Sequence, residues 1–290
     1  MENLRIGIIG NIGVGKSTLI EALKKPPLSN VLLAAWPDKT DEESLHTFAE
    51  EFDPNVLDAF YKDPVKHAFT AQIEFFNGRL VRQAHIDRAR GIILEDRTIF
   101  EDYHIFGKAQ KIMGHLSEAE YIAYQRNYNL MMEKIDEPDL VVYLRADTQT
   151  LLRRIDKRGR DSEKTIAPDY LNLLNSLYEE FIGRHVHCPV LVIDAKEASN
   201  LPVYLNTTCQ RIVDKIHELD LRVTTPKLKD WVALSETDAA LRAVDAERRL
   251  EDYLRHNKKL ITVAGNVGLG KSTVTTLMHR SLRVEALYED

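Results

Sequence analysis

Gly10, Gly15, Lys16 and Ser17 occupy the fixed positions of a G-x-x-x-x-G-K-[ST] run, GNIGVGKS, and residues of those types at that spacing can hold a polyphosphate. The glycines let successive backbone N–H groups turn inward around phosphate oxygens, and a helix that starts at Lys16 adds partial positive charge. Lys16 reaches the terminal phosphates and Ser17 can ligate Mg²⁺, while Asn11, Gly13 and Thr18 complete the loop and the first helical turn. The run follows the apolar segment LRIGII and precedes TLIEAL, which is the strand-to-helix context the motif needs. ATP with Mg²⁺ is therefore the expected cofactor. GTPases, motor ATPases and small-molecule kinases all carry such a loop, so it leaves the reaction open.

Three further groups of residues bear on the reaction. The segment LEDRTIFED puts Asp96, Arg97, Glu101 and Asp102 just after an expected strand, at the edge of a parallel sheet where ligands bind. Asp96 is placed to serve Mg²⁺ and Arg97 to hold an oxygen of the acceptor or of the transferring phosphoryl group; a surface ion pair is the plainer reading. The segment LLRRIDKRGRDSE carries Arg153, Arg154, Arg158 and Arg160, and Arg154 and Arg158 share a helix face. Arginines at that density before Gly159 suit a lid over the ATP phosphates, although a solvated basic face would look alike. Gln72 and Arg79 are spaced by nearly two helical turns, so they project from one face, beside Phe69, Ile73 and Phe76. An amide and a guanidinium next to apolar surface can read the edge of a flat heterocycle, and an ordinary amphipathic helix is the alternative.

Positioning these groups requires a sheet edge. Short β-branched runs alternate with longer amphipathic stretches, which predicts an α/β fold: a five-stranded parallel sheet flanked by helices, the P-loop kinase arrangement. Strands are expected over residues 5–9, 31–34, 91–95, 140–144 and 190–193, and helices over 16–24, 64–88, 117–135, 148–157 and 168–183. The 290 residues are 44% apolar and 29% charged, which is globular composition. A formal net charge of −6 argues against a nucleic-acid-binding surface, because such binding rests on neutralising phosphates with Lys and Arg. No apolar run approaches the ~20 residues that cross a bilayer, and MENLRIGIIG lacks a signal-peptide layout, so no membrane partner is expected and a cytoplasmic protein is. Cys188 and Cys209 have neither metal-ligand nor disulfide-framework spacing and read as reduced, structural residues.

The chain also repeats itself. LRIGIIGNIGVGKSTLIEAL recurs as LITVAGNVGLGKSTVTTLM, with Gly265, Gly270, Lys271 and Ser272 matching Gly10, Gly15, Lys16 and Ser17. The expected organisation is a complete domain over residues 1–217, a charged helical connector over 218–259, and over 260–290 the N-terminal fragment of a second P-loop unit, as in the first part of a longer tandem protein.

In order, GNIGVGKST, EEFDPNVLDAFYKDP, FTAQIEFFNGR, EDRTIFED and RIDKRGRDSE resemble the blocks of the deoxynucleoside kinases, most closely the bacterial deoxyadenosine and deoxyguanosine kinases, over residues 4–196. The resemblance implies transfer of a phosphoryl group from ATP to the 5′-hydroxyl of a deoxynucleoside, in nucleotide salvage. It makes Glu50 the general base, gives Tyr61 and Glu163 the 3′-hydroxyl, Gln72, Arg79 and Asp102 the base edge, and Phe106 the stacking face. Arg97 would orient the 5′-oxygen, Asp96 would support Mg²⁺, and Arg154, Arg158 and Arg160 would form the lid. The Arg79 and Asp102 pair resembles purine and cytosine acceptors, so deoxyadenosine or deoxyguanosine is favoured and deoxycytidine stays open. Relatives usually carry Glu-Pro-Val immediately after the second strand, whereas WPDKTDEESLHTFA intervenes here before Glu50 and Glu51, leaving Glu51 and Asp38 as alternatives for the base. Family members commonly pair as dimers through helices beside the active site, and the helices at Pro64 and Ser117 are the candidates.

Two other functions compete. A nucleoside monophosphate kinase of the thymidylate kinase kind shares the loop, the Asp-Arg segment and the lid, but it would call for further arginines around the acceptor. A nucleotide-binding regulatory protein would use the repeated loops as switches, and the second loop fits that description because no Asp-Arg or lid segment follows it.

Overall fold

Leu4, Ile6, Ile8 and Ile9 are wholly buried, and a run so apolar on both faces belongs in the middle of a sheet covered on two sides. In the computed structural model, which describes residues 3–36, 44–49, 53–160, 163, 165–195 and 200–219, that run is the central strand. The strands are β1 (Asn3–Ile9), β2 (Leu45–Phe48), β3 (Gly91–Asp96), β4 (Leu140–Arg145) and β5 (Val190–Asp194). Their order across the sheet is β2-β3-β1-β4-β5, and every pairing is parallel. Ile8 pairs with Asp96 on one side and Val142 on the other, so β1, β3 and β4 end along one edge.

The helices among the described residues are α1 (Lys16–Leu23), α2 (Leu28–Ala34), α3 (Pro54–Lys62), α4 (Pro64–Ile86), α5 (Lys108–Ile112), α6 (Glu118–Met132), α7 (Thr148–Arg158), α8 (Pro168–Arg184) and α9 (Leu201–Glu218), with a wide π-helical turn over Asp102–Gly107 before α5. Their starts follow from capping chemistry. Asp53 accepts from Asn55 N at 2.8 Å and Asp63 from Lys66 N at 3.1 Å, each with proline next in the chain, so α3 and α4 begin at defined residues one after the other. Ser117 and Glu120 form a reciprocal capping box on α6. Asp147 caps α7, which stops at Gly159 in the left-handed conformation.

The expected strand over residues 31–34 is instead part of α2. A short apolar run such as VLLA has no periodicity that separates strand from buried helix. Leu32 and Leu33 pack into the core while Val31 is 38% exposed, the one-sided burial of a helix. The true second strand, LHTF, is half polar and only partly buried at the sheet edge, so it leaves little pattern in the sequence. This relocation removes the apparent insertion before the acidic pair: Glu50 and Glu51 follow β2 after a single alanine. The other expected strands and helices coincide with observed ones to within a few residues at each end.

The described residues fall within the unit Met1–Val223. Asp38, Glu50, Glu51, the connector beyond residue 219 and the second loop at Gly265, Gly270, Lys271 and Ser272 lie outside the described residues. Among the described residues no helix is long and apolar enough to cross a membrane.

A buried ion pair joins strands β1 and β3 and reaches helix α4 through Gln83, while the apolar stripe of α4 packs against α3, α6 and the π-helical turn. Arg5 of β1 donates through Nε and Nη2 to Glu95 Oε1 at 3.1 and 2.9 Å, and its Nη2 lies 3.4 Å from Gln83 Oε1 on α4. Arg5 Nη1 also donates to the carbonyl of Asp136 at 3.1 Å, so the guanidinium links two strands to the segment before β4. Removing one partner strands the other charge in the interior. Arg5→Met is expected to cost about 3–5 kcal/mol in denaturant unfolding, and Arg5→Met combined with Glu95→Leu to recover part of that loss.

Candidate active site

The loop after β1 is shaped by a steric requirement at its first residue. Gly10 has φ 143°, and a Cβ there would lie 2.5 Å from the carbonyl oxygen of Leu144. Only glycine lets the chain leave β1 against β4 and turn back toward α1. Asn11 then pins the loop to α8, donating through Nδ2 to Leu171 O at 3.0 Å and Asn175 Oδ1 at 2.8 Å. Arg154 of α7 holds the far side, with Nη1 on Val14 O at 2.8 Å and Nη2 on Ala195 O at 2.6 Å. Burial lowers the Arg154 pKa, yet the group remains a cation at any working pH. Lys16 is buried and donates to the carbonyls of Gly10 at 3.0 Å and Asn11 at 3.4 Å, which places its ammonium inside the loop it would serve.

Asp96 and Arg97 meet this loop because β3 pairs with β1. Ser17 Oγ donates to Asp96 Oδ2 at 2.6 Å, and Asp96 Oδ1 is buried with no hydrogen-bond partner. An orphaned carboxylate oxygen beside a hydroxyl is a fitting donor set for a hard cation such as Mg²⁺. Arg97 has φ 68°, a rare conformation for a residue with a side chain. It is held there from both ends. Its N–H donates to Ile8 O at 3.0 Å, and its carbonyl accepts from Arg82 Nη2. Its guanidinium lies 4.2 Å over the Phe106 ring, a cation–π arrangement, and Nη1 is 3.3 Å from the Tyr178 hydroxyl.

Arg82 is a residue that sequence reasoning missed. From α4 its Nη1 donates to Ala49 O and Asp96 O, both at 3.0 Å, besides the bond from Nη2 to Arg97 O. It therefore ties the end of β2, directly before the acidic pair, to the end of β3. Its place one helical turn after Arg79 is the signal that could have found it.

On the acceptor side, α4 presents Gln72 and Arg79 from its buried stripe, as their spacing predicts. Arg79 Nε donates to Asp102 Oδ1 at 2.7 Å, with both side chains almost fully buried. The π-helical turn sets Asp102 and Phe106 in place; its last residue, Gly107, lies against Tyr124, whose ring carbon would be 2.5 Å from an added Cβ. Tyr61 from α3, with Phe60 and Leu57, walls the same space. Glu163 accepts from Arg158 Nε at 2.9 Å and Arg160 Nη1 at 3.3 Å, joining an expected acceptor residue to the lid arginines. Tyr204, Leu201 and Leu205 of α9, which no motif or spacing singles out, line the same cavity.

Apart from Gly10 and Asn11 at the loop's base and Glu101 and Arg153 of the neighbouring segments, the expected site residues that are described line a single cavity of about 940 Å³ that includes Ser17, Thr18 and Gln72. That is at the upper limit for small-molecule sites, room for two ligands placed end to end. The phosphate loop and Asp96 lie at one end, the Arg79–Asp102 pair at the other, and Arg97 between them. Such an arrangement can hold a nucleoside triphosphate and a flat, hydrogen-bonding acceptor with their reactive ends facing.

The family model described as deoxynucleoside kinase matches residues 6–220. Among curated relatives, the chain is 31% identical over 218 residues to a deoxyadenosine/deoxycytidine kinase of Bacillus subtilis, covering 74% of this chain and 92% of the relative. It is 36% identical over 202 residues to a deoxyadenosine kinase of Dictyostelium discoideum, covering 68% of this chain and 74% of the relative. Among solved structures, that of deoxyadenosine kinase from M. mycoides with bound dATP matches with a TM-score of 0.60 at 28% identity, over 72% of this chain and 99% of that one.

Arg82 provides a direct test of this geometry. A lysine cannot fork to the carbonyls on two strands. Arg82→Lys is expected to lower the rate of phosphoryl transfer on the order of 10²-fold, as a displacement of about 1 Å at the reacting groups does, with far-ultraviolet circular dichroism unchanged.

Proposed function

Because the chain belongs to the deoxynucleoside kinase family and is a phosphotransferase, we propose that it transfers the terminal phosphoryl group of ATP to the 5′-hydroxyl of a purine deoxynucleoside, with deoxycytidine as the second acceptor. The observation that carries this reading is the single cavity in which Lys16, Ser17 and Asp96 face the Arg79–Asp102 pair across Arg97. The relatives' names include deoxyadenosine, deoxyguanosine and deoxycytidine kinases, which supports an acceptor with an amidine-like or lactam edge.

In this reading the base lies between Phe106 and the aromatic wall of α3 and α4, with Gln72, Arg79 and Asp102 on its polar edge. A guanidinium donor and a carboxylate acceptor, already fixed on each other at 2.7 Å, present a preset pattern, so little side-chain entropy is lost on binding. Tyr61 and Glu163 take the 3′-hydroxyl. Arg97 directs the 5′-oxygen toward the phosphoryl group, and Glu50, with Glu51 as its neighbour in the same segment, accepts the hydroxyl proton. Phosphoryl transfer relies mostly on alignment and charge stabilisation, so a carboxylate of ordinary basicity suffices for that step. Ser17 and Asp96 are the residues that would hold Mg²⁺, which supplies charge neutralisation at the phosphate oxygens when bound. Lys16 and the lid residues Arg154, Arg158 and Arg160 spread the remaining charge.

The same reading includes a homodimer. Helices α4 and α6 pack against one another, and Val81 is 63% and Leu130 60% exposed on them. Val81→Glu combined with Leu130→Glu is expected to give monomers in light scattering, while the wild type runs as a dimer.

Deoxyadenosine, deoxyguanosine and deoxycytidine, assayed with ATP and Mg²⁺ beside dAMP and dTMP, test the reaction. Turnover with the nucleosides is expected, and turnover confined to the monophosphates would assign a monophosphate kinase. Lys16→Ala is expected to abolish that turnover in the full chain even though the second loop keeps Lys271. Glu50→Gln is expected to lower kcat by about 10²–10⁴-fold with ATP affinity little changed.

A further inference from the structure

Beneath the reaction centre lie two buried polar groups that the scheme above does not use, Glu101 and Tyr178. The Tyr178 hydroxyl oxygen, on α8, is 2.6 Å from Glu101 Oε1, 2.9 Å from the carbonyl oxygen of Gly10 and 3.3 Å from Arg97 Nη1. It thus touches the phosphate loop, the arginine at the reacting atoms and a carboxyl group together.

The proton count in this cluster is informative. A phenol carries a single proton, and Arg97 can only donate. If Glu101 were ionised, its carboxylate and the Gly10 carbonyl would compete for that proton, and one of two oxygen contacts no longer than 2.9 Å would have none between them. A proton on Glu101 completes the set. Glu101 Oε1–H donates to Tyr178, Tyr178 donates to Gly10, and Arg97 donates to the remaining lone pair of the phenol. The other carboxyl oxygen is already the acceptor end, taking the Thr98 N–H at 2.7 Å and the Thr98 hydroxyl at 3.3 Å.

The surroundings agree with that count. Glu101 is 0% exposed. The ionisable groups that face it are Lys16 at the start of α1, Arg79 on α4, Arg97 after β3, Tyr143 on β4 and Tyr178 on α8. Burial pushes its carboxyl above the ordinary glutamate value, against the opposing pull of the three cations.

We propose that Glu101 is a neutral carboxylic acid in the working enzyme, and that the Glu101–Tyr178 pair is a positioning unit holding the Gly10 carbonyl and the Arg97 guanidinium. Lys16 also holds the Gly10 carbonyl at 3.0 Å here. When that ammonium turns to a phosphate, Tyr178 stays on the carbonyl and keeps the loop's first turn closed. Arg97 Nη1 rests on the same phenol at 3.3 Å, so the pair also fixes where the guanidinium lies; this part rests on the role given to Arg97 above. The isostere reproduces the pattern: in Glu101→Gln the amide nitrogen donates to Tyr178 and the amide oxygen accepts from Thr98.

The test has two independent arms, both on the full chain. In the first, infrared difference spectra of wild type against Glu101→Gln are recorded at neutral pH without substrate. A protonated-carboxyl carbonyl stretch present only in the wild type is expected, and a carboxylate band in its place overturns the proposal. In the second, kcat is measured for Glu101→Gln, Glu101→Leu and Tyr178→Phe, with thermal melts as the check on folding. Glu101→Gln is expected to stay within about threefold of wild type, while the other two lose about tenfold or more with the KM for ATP little changed. Equal losses in Glu101→Gln and Glu101→Leu overturn the proposal. The acid is lost as pH rises through its raised pKa, so wild-type kcat should fall on the alkaline side where Glu101→Gln does not; the same fall in both overturns it. Should no variant or wild type phosphorylate a deoxynucleoside while the carboxyl band is present, the protonation stands and the reading of the reaction fails.

Discussion

Parallel pairing of β1 with β3, in the register that sets Ile8 against Asp96, is the constraint on which the rest of the site depends. Parallel strands release their chains at the same edge, so the phosphate loop and the Asp96–Arg97 segment emerge side by side although 86 positions separate Gly10 from Asp96 in the chain. Among the buried residues of the central strand only Arg5 is polar, and Arg5 is answered by Glu95 on the neighbouring strand. Slipping that register by a residue would unpair this charge and reverse every buried side chain, which makes the alignment of the reactive edge a by-product of core packing.

Charge inside this protein is handled in pairs and through backbone. Arg79 has Asp102, Arg5 has Glu95, and Arg158 and Arg160 share Glu163. Arg82 and Arg154 donate to main-chain carbonyls. A guanidinium that donates to carbonyls of separate segments ties those segments together, here the loop after β1 to the end of β5 and the end of β2 to the end of β3.

Local chemistry was legible in the sequence and distant chemistry was not. The shape of the loop Gly10–Ser17 can be read because it depends on successive residues, and the shared face of Gln72 and Arg79 because helical geometry is regular. The placement of Asp96 and Arg97 beside the loop follows from parallel strands ending along one edge. The second strand was misplaced because VLLA looks equally well like either element, while LHTF at the sheet edge has too few buried positions to show an alternation. The bonding of Arg82 is equally invisible in the sequence, since one of its acceptors is Ala49, at the end of that patternless strand. Tyr178 lies 168 residues from Gly10, and no spacing in the chain announces that contact.

The wide turn at Asp102–Gly107 governs how two cavity-lining side chains are set relative to one another. A regular helix advances about 100° per residue, and an inserted residue opens the ring to the π form, so the turn offsets the side chains before it from those after it. Asp102 faces the Arg79 guanidinium while Phe106, in the same turn, lies under Arg97. Loss of one residue between them would tighten the coil and carry one of these groups away from the cavity with no amino acid exchanged at either position. Under the acceptor roles proposed for Asp102 and Phe106, chain length at this turn is a separate variable for discrimination among nucleosides, alongside residue identity.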